Sequence, residues 1–295
     1  MTEQNKSFTV VGGDTRSIEA ANRLYSLGFR VKVFAFRESV LFSNGITVAK
    51  SLREAINDSD YILLPLPYTT NGETLNTPLF NQTLLLSDVF THLDSSQTVF
   101  AGKTDEELQK KLQAKGILYY DYATRDEFAV LNAVPTAEGA IEIALRKTPY
   151  TLNDSECLIL GYGRIAKMLL RILQGFDARI TVAARRKSDL AWISSFGARA
   201  LPINDIKRYI HQFKIVFNTV PHLILTKDIL LFAEQKPLII DLASRPGGVD
   251  FDAAKEMNIE TVHALSLPGK VAPTTAGHII CDTILNIICE MEVKQ

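Results

Sequence analysis

Short apolar runs alternate with amphipathic, helix-like stretches along the whole chain, and that alternation starts twice. Strands are predicted at 8–11, 30–34, 61–65, 98–101, 117–120, 157–160, 179–183, 215–218, 238–241 and 261–264. These runs are rich in Val, Ile, Leu and Phe and mostly continuous, as strands covered on both faces of a parallel sheet read. Helices are predicted between them, at 16–27, 105–115, 165–174 and 187–196. This order points to an α/β chain of doubly wound parallel sheets. With 295 residues, 46% of them hydrophobic, the chain can bury two cores.

The two starts are glycine turns that close a strand: Val10-Val11-Gly12-Gly13-Asp14, and Leu160-Gly161-Tyr162-Gly163. They predict two Rossmann-like domains. The first covers 1–134 and regains 278–295, the second covers 150–277, and a helix over 135–149 joins them. Pro135-Thr136-Ala137-Glu138 supplies that helix's start and Thr148-Pro149 its end. The amphipathic stretch 274–292 is long enough to return to the first domain as a C-terminal helix.

Lys and Arg total 32 against 33 Asp and Glu, a formal charge of −1. That balance argues against a sequence-independent nucleic-acid binder or a polybasic membrane-surface protein. The polar stretch 1–7 has no signal-peptide core, and no apolar run nears the ~18 residues that span a bilayer. Cys157, Cys281 and Cys289 are too few and scattered for a disulfide framework or a metal site. Cys281 and Cys289 are expected on one buried helix face. A reduced, cytoplasmic protein follows, with no nucleic acid, membrane or metal among its partners.

Leu160-Gly161-Tyr162-Gly163-Arg164-Ile165-Ala166 reads G-x-G-x-x-A between a strand and an amphipathic helix. The chemistry needs Gly161 for the tight turn and Gly163 because a side chain there would block a pyrophosphate. Small Ala166 lets helix and strand approach, and the N–H groups of the turn around Arg164 and Ile165 hold phosphate. An NAD site would place Asp or Glu at the end of the next strand, to hold the ribose. Here Ala184-Arg185-Arg186-Lys187 stands instead, and Arg185 and Arg186 suit a 2′-phosphate, so NADP is the expected cofactor. The first glycine turn lacks a third small residue in phase; it is expected to be structural, with Arg16 toward the interdomain cleft.

Ligands of open α/β sheets bind beyond the carboxyl ends of the strands. Three such loops stand out in the second half. Asn218-Thr219-Val220-Pro221 should border the nicotinamide ribose. The loops from Asp241 through Asp250 and from Leu267 through Gly277 each set a cation, Arg245 and Lys270, among small residues, as an anionic substrate requires, with Ala243 expected on the cofactor side.

Asp241-Leu242-Ala243-Ser244-Arg245-Pro246-Gly247-Gly248, the stretch from Leu267 through Gly277, Pro135-Thr136-Ala137-Glu138-Gly139 and Val11-Gly12-Gly13-Asp14 with Arg16 together resemble the A subunits of dipicolinate synthases. The resemblance covers essentially the whole chain. More distantly, the arrangement is similar to the 2-hydroxyacid dehydrogenases and alanine dehydrogenase. It implies oxidation of a dihydrodipicolinate-type ring to dipicolinate with NADP⁺, in the mother cell of a sporulating bacterium. It also implies the flavoprotein-like B subunit of dipicolinate synthase for a partner, with homo-oligomerisation expected as well. Arg245 matches in kind the carboxylate-binding Arg of the hydroxyacid dehydrogenases, but their catalytic His–Glu pair has no secure counterpart here.

Arg245 and His278 are therefore the catalytic candidates. Ser244, Arg245, Lys270, Thr70, Arg125 and Glu138 are the candidates for binding a small dicarboxylate between the two domains. His263 is a further candidate proton acceptor, whereas His92, His211 and His222 read as surface residues. Two alternatives stay open: an NADP-dependent oxidoreductase acting on another 2-oxo or 2-hydroxy acid, and a non-catalytic nucleotide-binding partner of a flavoprotein.

Overall fold

The computed structural model describes residues 6–293; the first five residues and the last two of the C-terminal return lie outside the described residues. Two compact units result, one holding residues up to Leu131 and from Ala272 onward, the other Asn132–Val271.

The first unit runs β1 (Ser7–Val11), α1 (Thr15–Ser26), β2 (Arg30–Phe34), β3 (Thr47–Val48), α2 (Leu52–Ile56), β4 (Tyr61–Leu63), α3 (Leu86–His92), β5 (Thr98–Ala101), α4 (Glu106–Ala114) and β6 (Leu118–Asp121). Helix α5 (Asp126–Lys147) passes from the first unit into the second. There follow β7 (Glu156–Leu160), α6 (Arg164–Gly175), β8 (Arg179–Ala184), α7 (Lys187–Ser195), β9 (Arg199–Pro202), α8 (Ile206–Tyr209), β10 (Ile215–Asn218), α9 (Lys227–Leu230), β11 (Leu238–Asp241), α10 (Phe251–Glu256), β12 (Thr261–His263) and α11 (Leu267–Val271). Helix α12 (Pro273–Val293) belongs to the first unit again.

Each unit holds one six-stranded sheet, in the orders β3-β2-β1-β4-β5-β6 and β12-β11-β10-β7-β8-β9. Every strand pairing is parallel. The winding reverses between β1 and β4 in one sheet and between β7 and β10 in the other, and such a reversal opens a crevice at the strands' carboxyl ends. The central strands carry apolar side chains on both faces because helices cover both. Phe8 and Val10 face α1 and α12, while Val11 and Ile62 join the cluster under α2–α4.

Four expectations need correction. Strands β3 and β9 were not expected, because both are short sheet edges with mostly exposed side chains and no continuous apolar run. Helix α5 starts at Asp126, well before Pro135, which lies inside it. Pro135 has no N–H for the Leu131 carbonyl. The turn is sustained by the Thr136 hydroxyl, which donates to the Asn132 carbonyl (2.7 Å), and by acids in the first turn and cations in the last. By length and composition α5 could cross a bilayer, but its Ala137, Ala140, Ile141 and Ala144 are buried in the second unit's core. The stretch 267–277 is helical rather than a loop, as α11 and the start of α12. Gly277 therefore serves packing: a Cβ there would lie 2.7 Å from the Arg16 carbonyl on α1. Finally, Cys281 is buried and Cys289 exposed, since eight residues advance a helix some 80° past whole turns. Burial pushes the Cys157 and Cys281 thiols up to about 12.

Candidate functional site

The open crevice of the second sheet begins at Gly161, directly after β7. Its φ is +94°, its N–H donates to the Ala183 carbonyl (2.8 Å), and a Cβ there would lie 2.7 Å from Thr219 Oγ1. Only glycine fits, because the switch between β7 and β10 brings those loops into contact.

Gly163 differs. It is the N-cap of α6 with ordinary extended backbone (φ −82°), and a Cβ there would meet no atom within 4 Å. The fold's own packing does not require glycine at this position, and open space lies beside the turn. The first bond of α6 runs from Lys167 N–H to the Gly163 carbonyl (3.0 Å), so the N–H groups before Lys167 precede the helical ladder. No acid stands in this first turn, and Ala166 is fully buried against the sheet. An unobstructed helix start of this kind holds pyrophosphate.

The turn opens into a cleft of about 600 Å³ whose other walls include Ala184, Arg185, Arg186, Asp189, Thr219, Val220 and Pro221. Arg185 is exposed and has no ion-pair partner among the described residues. Arg186 instead forms a two-pronged pair with Asp189, at 2.8 and 2.9 Å. The three cations in a row thus become one uncommitted guanidinium and one shared with a carboxylate. The Thr219 hydroxyl is committed too, donating to the Leu160 carbonyl (2.8 Å). The residues present fit a dinucleotide.

Two strands further on, the stretch from Ala243 to Gly248 is built around the carboxylate of Asp241, which is fully buried. Its Oδ1 accepts from Asn218 Nδ2 (2.8 Å) and Ala243 N–H (3.0 Å), and its Oδ2 from Gly248 N–H (2.8 Å). Gly247 has φ +94°, and a Cβ there would lie 2.6 Å from Asp241 Oδ2. The loop turns through a cis Arg245–Pro246 peptide and leaves Ser244, Arg245 and Pro246 exposed. Asp250 caps α10 through Ala253 N–H (3.0 Å), so both acids that could have neutralised Arg245 are engaged elsewhere. His263 supports the same loop, donating through Nε2 to the Ala243 carbonyl (3.0 Å) and stacking on Phe251.

The remaining candidates divide between the units. Glu138 on α5 and Lys270 on α11 are exposed in the second. Thr70 is exposed in the first. Arg125 is held by Glu127 (2.7 Å) and by both oxygens of Glu290, which pins the start of α5 to α12. His278 is half-buried within α12 rather than at its start.

The matching turn of the first unit is built differently. Gly12, like Gly161, has a positive φ and donates to the next strand (Phe34 carbonyl, 2.8 Å). The helix N-cap that Gly163 occupies in α6 is Asp14 in α1, whose carboxylate accepts from Arg16 N–H (3.0 Å). The buried Arg16 guanidinium grips that carboxylate (2.7 and 2.9 Å) and donates to the Leu66 carbonyl (2.6 Å).

Asn218 and Asp241 were expected to open the loops beyond β10 and β11, but not to bond each other. Their signal was the like pattern Ile-Val-Phe-Asn and Leu-Ile-Ile-Asp, in which a polar residue closes an otherwise fully buried strand.

Residues 142–266 match the model of the shikimate / quinate 5-dehydrogenase family, and residues 7–123 that of the N-terminal domain of the dipicolinate synthase A subunit. The fold is shared with a transhydrogenase from Sinorhizobium meliloti (TM-score 0.70, 17% identity, covering 96% of this chain and 94% of that one). It is also shared with D-lactate dehydrogenase of Escherichia coli (TM-score 0.60, 14%, 97% of each). Two Rossmann-like domains, one with an open dinucleotide cleft, define a nicotinamide-nucleotide-dependent oxidoreductase. The A subunit of dipicolinate synthase from Bacillus subtilis (strain 168) is 31% identical over 292 residues, 98% of this chain and 97% of that protein. The crystal structure of the corresponding protein from Bacillus halodurans superposes with a TM-score of 0.88 at 28% identity, covering 96% and 97% of the two chains. The chain belongs to the family of dipicolinate synthase A subunits.

Proposed function

We propose that the chain oxidises a dihydrodipicolinate-type ring to dipicolinate with NADP⁺, as one component of a two-subunit synthase in the cytoplasm of a sporulating mother cell. The family supports the reaction, and the relatives' designation as A subunits supports a second subunit. One observation carries the reading. Arg245 stands exposed and unneutralised beyond β11, in the same unit whose β7 turn lies open above Gly163.

When bound, the nicotinamide supplies the acceptor for a hydride. Two hydrogens leave the ring, one as that hydride and one as a proton, so dihydrodipicolinate and NADP⁺ give dipicolinate, NADPH and H⁺. Arg245 holds one ring carboxylate by its planar fork, and Lys270 is the second anchor. Aromatisation drives the step, so the residues mainly orient the ring. Arg185 selects the 2′-phosphate.

The test is nicotinamide reduction by the purified chain, alone and with its second subunit, given the dihydro ring and either NADP⁺ or NAD⁺. Turnover preferring NADP⁺ is expected. Absence of reduction with both subunits present would leave the chain a nucleotide-binding partner without chemistry of its own.

A further inference from the structure

On the outer face of the second unit, α6 and α7 enclose a groove of about 440 Å³. Its centre is aromatic. Trp192, the only tryptophan of the chain, is 59% exposed and stacks on Phe196, itself 54% exposed, with ring centroids 5.6 Å apart. The backbone beneath the pair is tied: Phe196 N–H donates to the Trp192 carbonyl (3.0 Å), and the Phe196 carbonyl accepts from Gln174 Nε2 on α6. Leu170 and Tyr162 complete the apolar wall. An exposed, stacked aromatic pair in a groove is the anatomy of a binding hot spot.

Its rim has one sign. Lys167 lies 5.3 Å from the Tyr162 ring centre, and Arg171, one turn further along α6, has no carboxylate partner among the described residues. No residue lining the groove is acidic. Pairing this groove with the same groove of a second copy about a two-fold axis would bring two cationic rims together, so the charge pattern disfavours such self-pairing. The complement is an apolar side chain ringed by carboxylates on a different polypeptide. Tyr162 also lines the nucleotide cleft, so a partner seated here touches the turn that holds the dinucleotide.

We propose that this groove is the docking surface for the second subunit of the synthase, which presents an acid-rimmed apolar knob to Trp192 and Arg171. The inference rests on the two-subunit reading given above. The experiment mixes the purified full-length chain with the purified second subunit encoded in the same genome, and measures complex formation by sedimentation at low and high salt. Trp192→Ala and Arg171→Glu are measured in parallel, with nucleotide titration and melting curves as controls.

The expected result is a wild-type complex that weakens with salt, and a Kd raised roughly tenfold or more in each variant. Folding and nucleotide binding by the free variants stay unchanged. Variants that bind as tightly as wild type overturn the surface and leave the two-subunit reading standing. A wild-type chain that self-associates, and loses that association in Arg171→Glu, assigns the groove to a second copy instead. A wild-type chain that forms no complex overturns both the surface and the reading beneath it.

Discussion

Asn218 Nδ2 donates a 2.8 Å hydrogen bond to Asp241 Oδ1, joining two fully buried side chains that face each other in register at the ends of β10 and β11. Asn218 also binds the Val220 backbone at both its N–H and its carbonyl, while Asp241 gathers the N–H groups of Ala243 and Gly248. One polar contact thus fixes both the cofactor-side loop and the Arg245 loop. In Asp241→Asn the amide can keep its oxygen toward Asn218 and Ala243 only by turning its NH₂ against Gly248 N–H. An unsatisfied buried donor costs about 1–3 kcal/mol, so the urea midpoint should fall accordingly. An unchanged midpoint would show that the carboxylate does not hold the loop.

Gly163→Val should abolish dinucleotide binding in calorimetric titration, because the added side chain occupies the ligand's space. The melting temperature should hold, since the added Cβ meets no protein atom and such exposed changes typically fall within about 0.5 kcal/mol. Normal binding by this variant would overturn the cofactor site.

Arg185→Asp should weaken NADP binding by about 1–3 kcal/mol while NAD binding changes little. Arg186→Ala should matter less, because that guanidinium is already shared with Asp189. Equal losses for both nucleotides in Arg185→Asp would remove the 2′-phosphate from the argument.

Arg245→Lys keeps the charge and loses the fork. Turnover of the dihydro ring should drop by about 1.5–3 kcal/mol in kcat/KM, the range of a charge-assisted contact, with folding and NADP affinity retained. Steady-state kinetics with the second subunit present make the comparison. Kinetics equal to wild type would take Arg245 out of the site.

Asp60 sets an acid limit on the first unit. Partial burial raises its pKa, but hydrogen bonds from the Lys6 ammonium (2.8 Å) and from Ser7 N–H and Oγ outweigh this and hold it below the ordinary carboxylate value. A folded pKa below the unfolded one contributes stability that is full above the unfolded value, about 4, and is lost as pH falls through the folded value. Asp60→Asn should therefore be less stable than wild type at neutral pH, and the gap should narrow as pH falls below the unfolded value of about 4 and through the lower folded one. Urea midpoints at neutral and at acid pH decide it; a gap that persists in acid means that the contribution is not ionic.

The buried strands were legible because each central run is apolar on both faces. Edge strands β3 and β9 lack that signature, for their side chains meet water. The G-x-G-x-x-A turn was legible because its chemistry is local. The Arg186–Asp189 pair lies three residues apart on a helix start and could have been read from spacing. The Asn218–Asp241 contact could not, since it depends on which strand β10 chooses as its neighbour. Pro135 misled because proline usually opens a helix, and here the tertiary packing of α5 overrides that preference.

Both sheets are wound alike, yet the helix N-cap after β1 is Asp14, its carboxylate locked in a fork with Arg16, whereas the N-cap after β7 is Gly163, with open space beside it. The consequence is a matter of counting: nucleotide should saturate at one molecule per chain, not two. A handful of side chains, rather than any change of topology, separates a half that carries a cofactor from a half set free to do something else.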